Sequence, residues 1–243
     1  MPDEDLQNVE HIYEPHKIQS NYLASRSPES LKYILKGRMA ETLAMELFRD
    51  LGFFIRSFGV EHIFIENTQL STFVSNLGAN YSDVHTEDGR ALGKAPDFVV
   101  LGQNGKTFLI EVKYRNSGIV NREKDYSSFI YYPCAIIVLN NGINWDNFVQ
   151  FYGDKIDVSK KNEYLNSRFH VHYIRYQQGI NMSEKSGKER IQNIAISPLP
   201  SWLLFNFELK YESTIKLSSA ESVSVKDVLG KYNGLVKLIE NIV

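Results

Sequence analysis

Residues 95–115 read APDFVVLGQNGKTFLIEVKYR: two short apolar runs meet around Gly102 and Gly105, and the second carries charges in step. Residues two apart on a strand share a face, so Phe108, Ile110, Val112 and Tyr114 point one way while Leu109, Glu111, Lys113 and Arg115 point the other. Such a strand divides a core from a charged row, which commits the chain to a sheet with chemistry on one side. A three-residue loop Gln103-Asn104-Gly105, with Gly105 in the left-handed conformation, pairs Gly102 with Lys106 and brings Asp97 opposite Glu111 on one face. A two-residue Asn104-Gly105 turn would oppose Asp97 to Val112 and split the carboxylates between faces. The three-residue loop is preferred, in part because two apposed carboxylates make sense together with a cation.

Apposed carboxylates repel, which raises a pKa or recruits positive charge. Lys113 supplies one such charge. Mg²⁺ supplies another, because it takes oxygen ligands and is held by one or two carboxylates while water and phosphate complete its octahedron. An ammonium beside a metal-bound water steers that water. The three groups together describe a site for attack on a phosphodiester.

Pro96-Asp97, a short hairpin and Glu111-Val112-Lys113 resemble the core motif of the PD-(D/E)xK nuclease superfamily, the restriction-endonuclease-like fold. The resemblance covers roughly Pro28 to Leu139. It implies that Asp97 and Glu111 bind Mg²⁺, with Mn²⁺ as a substitute, helped by the main-chain carbonyl of Val112, and that Lys113 orients or activates the attacking water. It also implies a further Glu on the preceding helix, by position Glu41 in GRMAETLAMELF, acting directly or through water. Glu46 competes, but Thr42, Arg49 and Asp50 surround it on what should be the wet side. No signature of the family is found in Tyr126 to Tyr132 or in the last third.

The elements around the motif fit a fold of class α/β (α+β): a central mixed β-sheet flanked by helices. Ser27-Pro28-Glu29 starts a helix, with Ser27 as N-cap and Pro28 in the first turn, whose apolar spacing runs from Leu31 to Leu51 and ends at Gly52. Phe53–Phe58 reads as a strand, Val60–Ile65 as its extension or successor, Asn67–Leu77 as a short helix and Tyr81–Lys94 as a loop. A short helix around Arg122–Tyr131 precedes Cys134–Leu139, an unbroken apolar strand of the buried kind. Phe169–Tyr176 alternates like a strand, Gly179–Arg190 is a polar linker, and Trp202–Leu209 reads as an aromatic strand. Val225–Val243 is an amphipathic helix. These give an arm over 1–26, a nuclease-like core over 27–178 and an extension over 179–243 that carries a strand and the amphipathic helix.

The net charge is −2, so no basic surplus accounts for nucleic-acid binding and any contact must be local. Arg38, Arg115, Arg122 and Lys124 are the candidates, and Tyr126, Tyr131 and Tyr132 the candidate stacking residues. For each alone, a surface charge or a core aromatic is the simpler assignment. His170 and His172 share a strand face at a spacing that zinc sites use, but no third ligand is evident, which favours a structural role. The single cysteine, Cys134, an acidic N-terminus without an apolar segment, and no run near the ~20 residues that span a bilayer point to a cytoplasmic protein without a membrane segment.

The functional expectation is a Mg²⁺-dependent nuclease, an endodeoxyribonuclease of PD-(D/E)xK type, with DNA preferred over RNA as substrate and a homodimer left open by the C-terminal stripe. The alternatives are a nuclease-like scaffold that no longer cuts and serves as a nucleic-acid or protein-binding module, and an RNA-cleaving member of the same superfamily.

Overall fold

Ser27 caps the first described helix: its side chain accepts the Ser30 amide hydrogen at 3.3 Å and opens α1 (Pro28–Asp50), a cap worth ~1 kcal/mol. Ala40, Ala44, Leu47 and Phe48 form its buried stripe, at the spacing of one helical face. Leu51 closes the helix and Gly52, at φ 79°, reverses the chain, so that Phe53 packs edge-on against Phe48 at 5.4 Å. The computed structural model describes residues 27–58, 94–102, 104–132, 134–174, 191–216 and 222–241. The expected arm over 1–26, the elements at Val60–Ile65 and Asn67–Leu77, residues 81–93 of the loop and the linker Gly179–Arg190 lie outside these.

Six strands form one mixed sheet in sequence order: β1 (Phe54–Ser57), β2 (Phe98–Leu101), β3 (Thr107–Tyr114), β4 (Cys134–Leu139), β5 (Phe169–Ile174) and β6 (Ile194–Pro198). Every neighbouring pair is antiparallel except β3 with β4. A parallel pair needs a crossover, and the connection holds two short helices, α2 (Arg122–Asp125) and α3 (Ser127–Tyr131). Next come α4 (Trp145–Tyr152), α5 (Lys161–Asn166), α6 (Leu199–Phe207), a two-stranded ribbon β7 (Thr214–Lys216) and β8 (Ser222–Ser224), and α7 (Val225–Asn241).

Both faces of the sheet are covered, and all six residues of β4 are therefore buried. On one face Ile110, Val112, Ile137 and Val171 pack with α1, α6 and α7. On the other, Ile136 and Val138 pack with Tyr126, Phe129, Phe148, Tyr152 and Tyr164. The amphipathic C-terminal helix docks with Val225, Val228, Leu229, Tyr232, Val236 and Ile239 inward. Asp50 ties it to α1, accepting from Lys231 Nζ and the Tyr232 hydroxyl, each at 2.9 Å.

One expected element is of the other type. Trp202–Leu209, read as an aromatic strand, lies largely in helix α6. Leu199, Trp202, Leu203, Asn206 and Phe207 are its buried positions, and their spacing is helical rather than alternating. Pro200 sits in the first turn, where its missing amide costs nothing. The strand is instead Ile194–Pro198, which pairs with β5, so the main sheet runs across the expected boundary between core and extension.

Candidate functional site

The hairpin takes the three-residue register. Gly102 donates to Lys106 O and Gly105 to Gly102 O, both at 2.9 Å, with Gly105 at φ 76°. Phe98 then pairs with Ile110 and Leu101 with Thr107, which carries Asp97, one residue before β2, to a position opposite Glu111. Glu111 aligns with Ile136 and Lys113 with Val138 across the parallel pair, so both lie on the face covered by α2–α5. Glu111 is 7% exposed. Lys113 Nζ donates to Glu111 Oε1.

The electrostatics follow from burial. Burial pushes the Asp97 carboxyl up to about 8, the nearby Glu111 charge pushes the same way, and the Val112 amide, which donates to Asp97 Oδ2 at 2.7 Å, opposes them in part. Burial also raises Glu111, against the lowering effect of Lys113. For Lys113, burial favours the neutral amine, but the charge and hydrogen bond of Glu111 outweigh it and hold the ammonium above its usual range. The trio is thus a hydrogen-bonded Lys113–Glu111 pair beside an Asp97 carboxyl that burial biases toward its protonated form.

Glu41 lies on α1, the helix packed on the opposite face of the sheet, and forms an ion pair with Arg38 at 2.8 Å. Its charge raises the pKa of both Asp97 and Glu111, so it reaches the pair through its field. Glu46 pairs with Arg49 at 2.6 Å in an exposed position. Among the described residues no group of three or more His, Cys, Asp or Glu side chains could hold a metal ion. The available donor set is therefore the Asp97 and Glu111 carboxylates with main chain. Asp97 keeps one oxygen clear of the Val112 amide, and two carboxylates facing each other fit a hard cation that leaves most of its shell to water and phosphate.

Three of the four candidate phosphate contacts are engaged within the chain. Arg115 grips Asp125 with Nε to Oδ2 at 2.9 Å and Nη2 to Oδ1, and its Nη1 donates to Tyr114 O. Arg122 donates to Phe151 O at 2.6 Å and lies over that residue's ring. Arg38 is held by Glu41. Lys124 is exposed. Of the tyrosines, Tyr126 is in the core.

His170 and His172 are buried among Phe148, Tyr126 and Tyr152. His172 Nδ1 shares a 2.8 Å hydrogen bond with the Tyr126 hydroxyl, and His170 Nδ1 faces Asn140 Nδ2 at 3.3 Å. Burial pulls His170 down to about 3 and lowers His172 as well, so both are neutral core residues. Cys134 is buried, and burial raises its thiol.

Two further residues, one of them beside the site, carry no signal in the sequence. Asp125 is buried, accepts from Asn121 N at 2.8 Å as well as from Arg115, and its charge acts on Glu111 and Lys113. Arg168 crosses Gly142, with Nη1 2.5 Å from where a Cβ would stand. Arg168 meets Gly142 only once β4 and β5 pair, whereas the Asp125 contacts form within the β3–β4 connection, where no repeating pattern marks them. No family model, curated protein or solved structure matches the chain, so functional assignment rests on the geometry above.

Proposed function

We propose that the chain is a metal-dependent nuclease of PD-(D/E)xK type that hydrolyses phosphodiester bonds in DNA. The observation that carries this reading is the register bringing Asp97 opposite Glu111, with Lys113 bonded to Glu111 on the same shielded face. A buried carboxyl that has to give up a proton before it can be charged, beside a second carboxylate, has a use when a cation takes the proton's place.

A hard divalent cation, when bound, supplies charge neutralisation at the phosphate and lowers the pKa of a coordinated water. Asp97 and Glu111 would hold that cation, Glu41 adds negative potential from α1, and the Val112 amide fixes the orientation of Asp97. Lys113 remains an ammonium, so it orients the attacking water and stabilises charge on the phosphate oxygens rather than acting as a base. The water oxygen attacks phosphorus in line, one ester P–O bond breaks, the water's proton passes to solvent, and the leaving oxygen takes a proton from solvent.

The test is cleavage of labelled single-stranded, duplex and branched DNA and of RNA, with and without Mg²⁺ or Mn²⁺, beside Asp97→Ala and Lys113→Ala. Metal-dependent DNA cleavage lost in both variants is expected, and activity indifferent to both overturns the assignment. A second reading, a scaffold that binds without cutting, is favoured by one observation: Glu111 already has a cation in Lys113. Binding without cleavage of any substrate would select it, and cleavage confined to RNA would move the substrate class.

A further inference from the structure

Strands β3 and β4 are parallel, so their carboxyl ends emerge side by side, and Asn141 N donates to Asn116 O at 3.2 Å to hold the two loops together. Between the loops lies an open cleft of about 350 Å³ lined by Arg115, Asn116, Ser117, Asn141, Gly142 and Asn144. The crevice outside the carboxyl ends of parallel strands is a general location for ligands in α/β sheets. Arg115 is committed to Asp125, and the Asn144 side chain caps α4 by accepting from Asn147 N at 3.1 Å. Asn116 and Asn141 also line it.

A further cation, Arg168, is not among the lining residues but reaches the cleft's edge at Gly142. Its guanidinium lies across Gly142, which at φ 130° and without a Cβ leaves room for it, and it has no acidic contact among the described residues. A part-exposed guanidinium beside amides is suited to a phosphate with an adjoining base edge. Arg115 follows Lys113 by two residues, ~7 Å along the strand, or about two nucleotide steps of ~3.4 Å along a duplex axis.

We propose that this cleft is a nucleotide subsite next to the scissile position, with Arg168 on a DNA phosphate and Asn116 and Asn141 on the base or sugar edge of the same nucleotide. Its position relative to the scissile bond, and the choice of DNA, rest on the nuclease reading, whereas binding at the cleft does not.

The experiment is fluorescence anisotropy of the full chain with labelled single-stranded and duplex DNA oligonucleotides and an RNA of the same sequence, in Ca²⁺ and over a salt series. Wild type is compared with Arg168→Ala, Arg168→Lys and Asn141→Ala, with thermal melts confirming folding. Arg168→Ala should weaken DNA binding about tenfold and reduce the slope of log K against log salt by about one contact, while Arg168→Lys keeps the slope. Asn141→Ala should weaken binding about threefold with the slope intact. Should Arg168→Ala fold poorly, Arg168→Gln and Asn141→Ala carry the same comparison. Wild-type affinity and slope in the variants overturn the subsite, as does weakened binding with an unchanged slope in Arg168→Ala. Arg168-dependent binding of RNA alone overturns the choice of DNA. Arg168-dependent DNA binding by a wild type that cleaves nothing in Mn²⁺ supports the subsite and removes the catalytic reading.

Discussion

The carboxylate of Asp97 accepts the amide hydrogen of Val112 at 2.7 Å, although the hairpin sets the two backbones so that Asp97 faces Glu111. The side chain thus reaches one residue along β3 and is pinned by main chain, next to a carboxylate it repels. This is an arrangement that folding alone would not favour. An ionised Asp97 is opposed by burial and by Glu111, and sites of function are where such strain is tolerated.

Asp97→Asn is therefore expected to stabilise the metal-free protein. Its amide oxygen still accepts from Val112, but it carries no charge to desolvate. The sign follows from linkage: the folded pKa, about 8, lies above the unfolded value near 3.8, so the native state binds the extra proton and wild-type stability falls as pH rises between them. Thermal melts without divalent ions should place the variant above wild type at pH 8, by up to a few kcal/mol, and level with it near pH 4. A variant less stable than wild type at pH 8 would contradict the buried-acid account.

Metal binding should titrate the same proton. Below pH 8 the cation has to displace it from Asp97, so apparent Mn²⁺ or Mg²⁺ affinity is expected to rise by up to about tenfold per unit between pH 6 and 8 and then level off. Calorimetry in two buffers of different ionisation enthalpy should show close to one proton released per ion at pH 6.5, and almost none for Asp97→Asn. Chelation at pH 8 should lower the melting temperature of wild type and leave that of the variant unchanged.

Much of this geometry could be read from residue order, and the parts that could not share a cause. Gly105 announces the turn and hence the register, Ser27-Pro28 the start of α1, and the unbroken apolar run Cys134–Leu139 a strand covered on both faces. These are local signals, decided within a few residues. Trp202–Leu209 is local too, but there composition and spacing disagree: aromatic content suggests a strand while the buried positions of α6 are helical. Side-chain pairings are not legible. Nothing in the sequence ties Arg115, a candidate phosphate contact, to Asp125, and the proximity of Arg168 to Gly142 exists only once β4 and β5 pair.

On the proposed reading, Lys113 and an added cation would compete for Glu111, which separates two effects of one substitution. Lys113→Met removes the resident ammonium, so Mn²⁺ should bind about three- to tenfold more tightly, while cleavage falls by ~10²–10⁴ because the water loses its guide. Lys113→Arg keeps the ion pair and should keep near wild-type metal affinity, with turnover reduced by a bulkier, forked donor. Isothermal titration beside single-turnover cleavage reads the split. Loss of metal affinity together with activity in Lys113→Met would mean that Lys113 organises the site instead of competing for it.

The hairpin that sets the site is itself held by a distant helix, and this gives a test away from the charged residues. Gly102 abuts Phe207 of α6: a Cβ there would stand 2.4 Å from Phe207 Cδ1 and 2.7 Å from Cε1, with Asn104 Oδ1 at 2.9 Å. Phe207 cannot retreat freely, because Phe53, Phe108 and Trp202 surround its ring at 4.6 to 5.4 Å. Asn104 Nδ2 donates to Asn206 O at 3.1 Å and adds a second tie between turn and helix. Gly102→Ala should therefore cost ~1–3 kcal/mol by overpacking, and the displaced turn should weaken metal binding at Asp97 and Glu111 as well. Phe207→Leu, destabilising alone, should recover part of both losses when combined with Gly102→Ala, because it opens the space the methyl group needs. Melting temperatures and Mn²⁺ titrations of the two single variants and the double form the cycle; additive losses would show that α6 and the hairpin turn are not coupled.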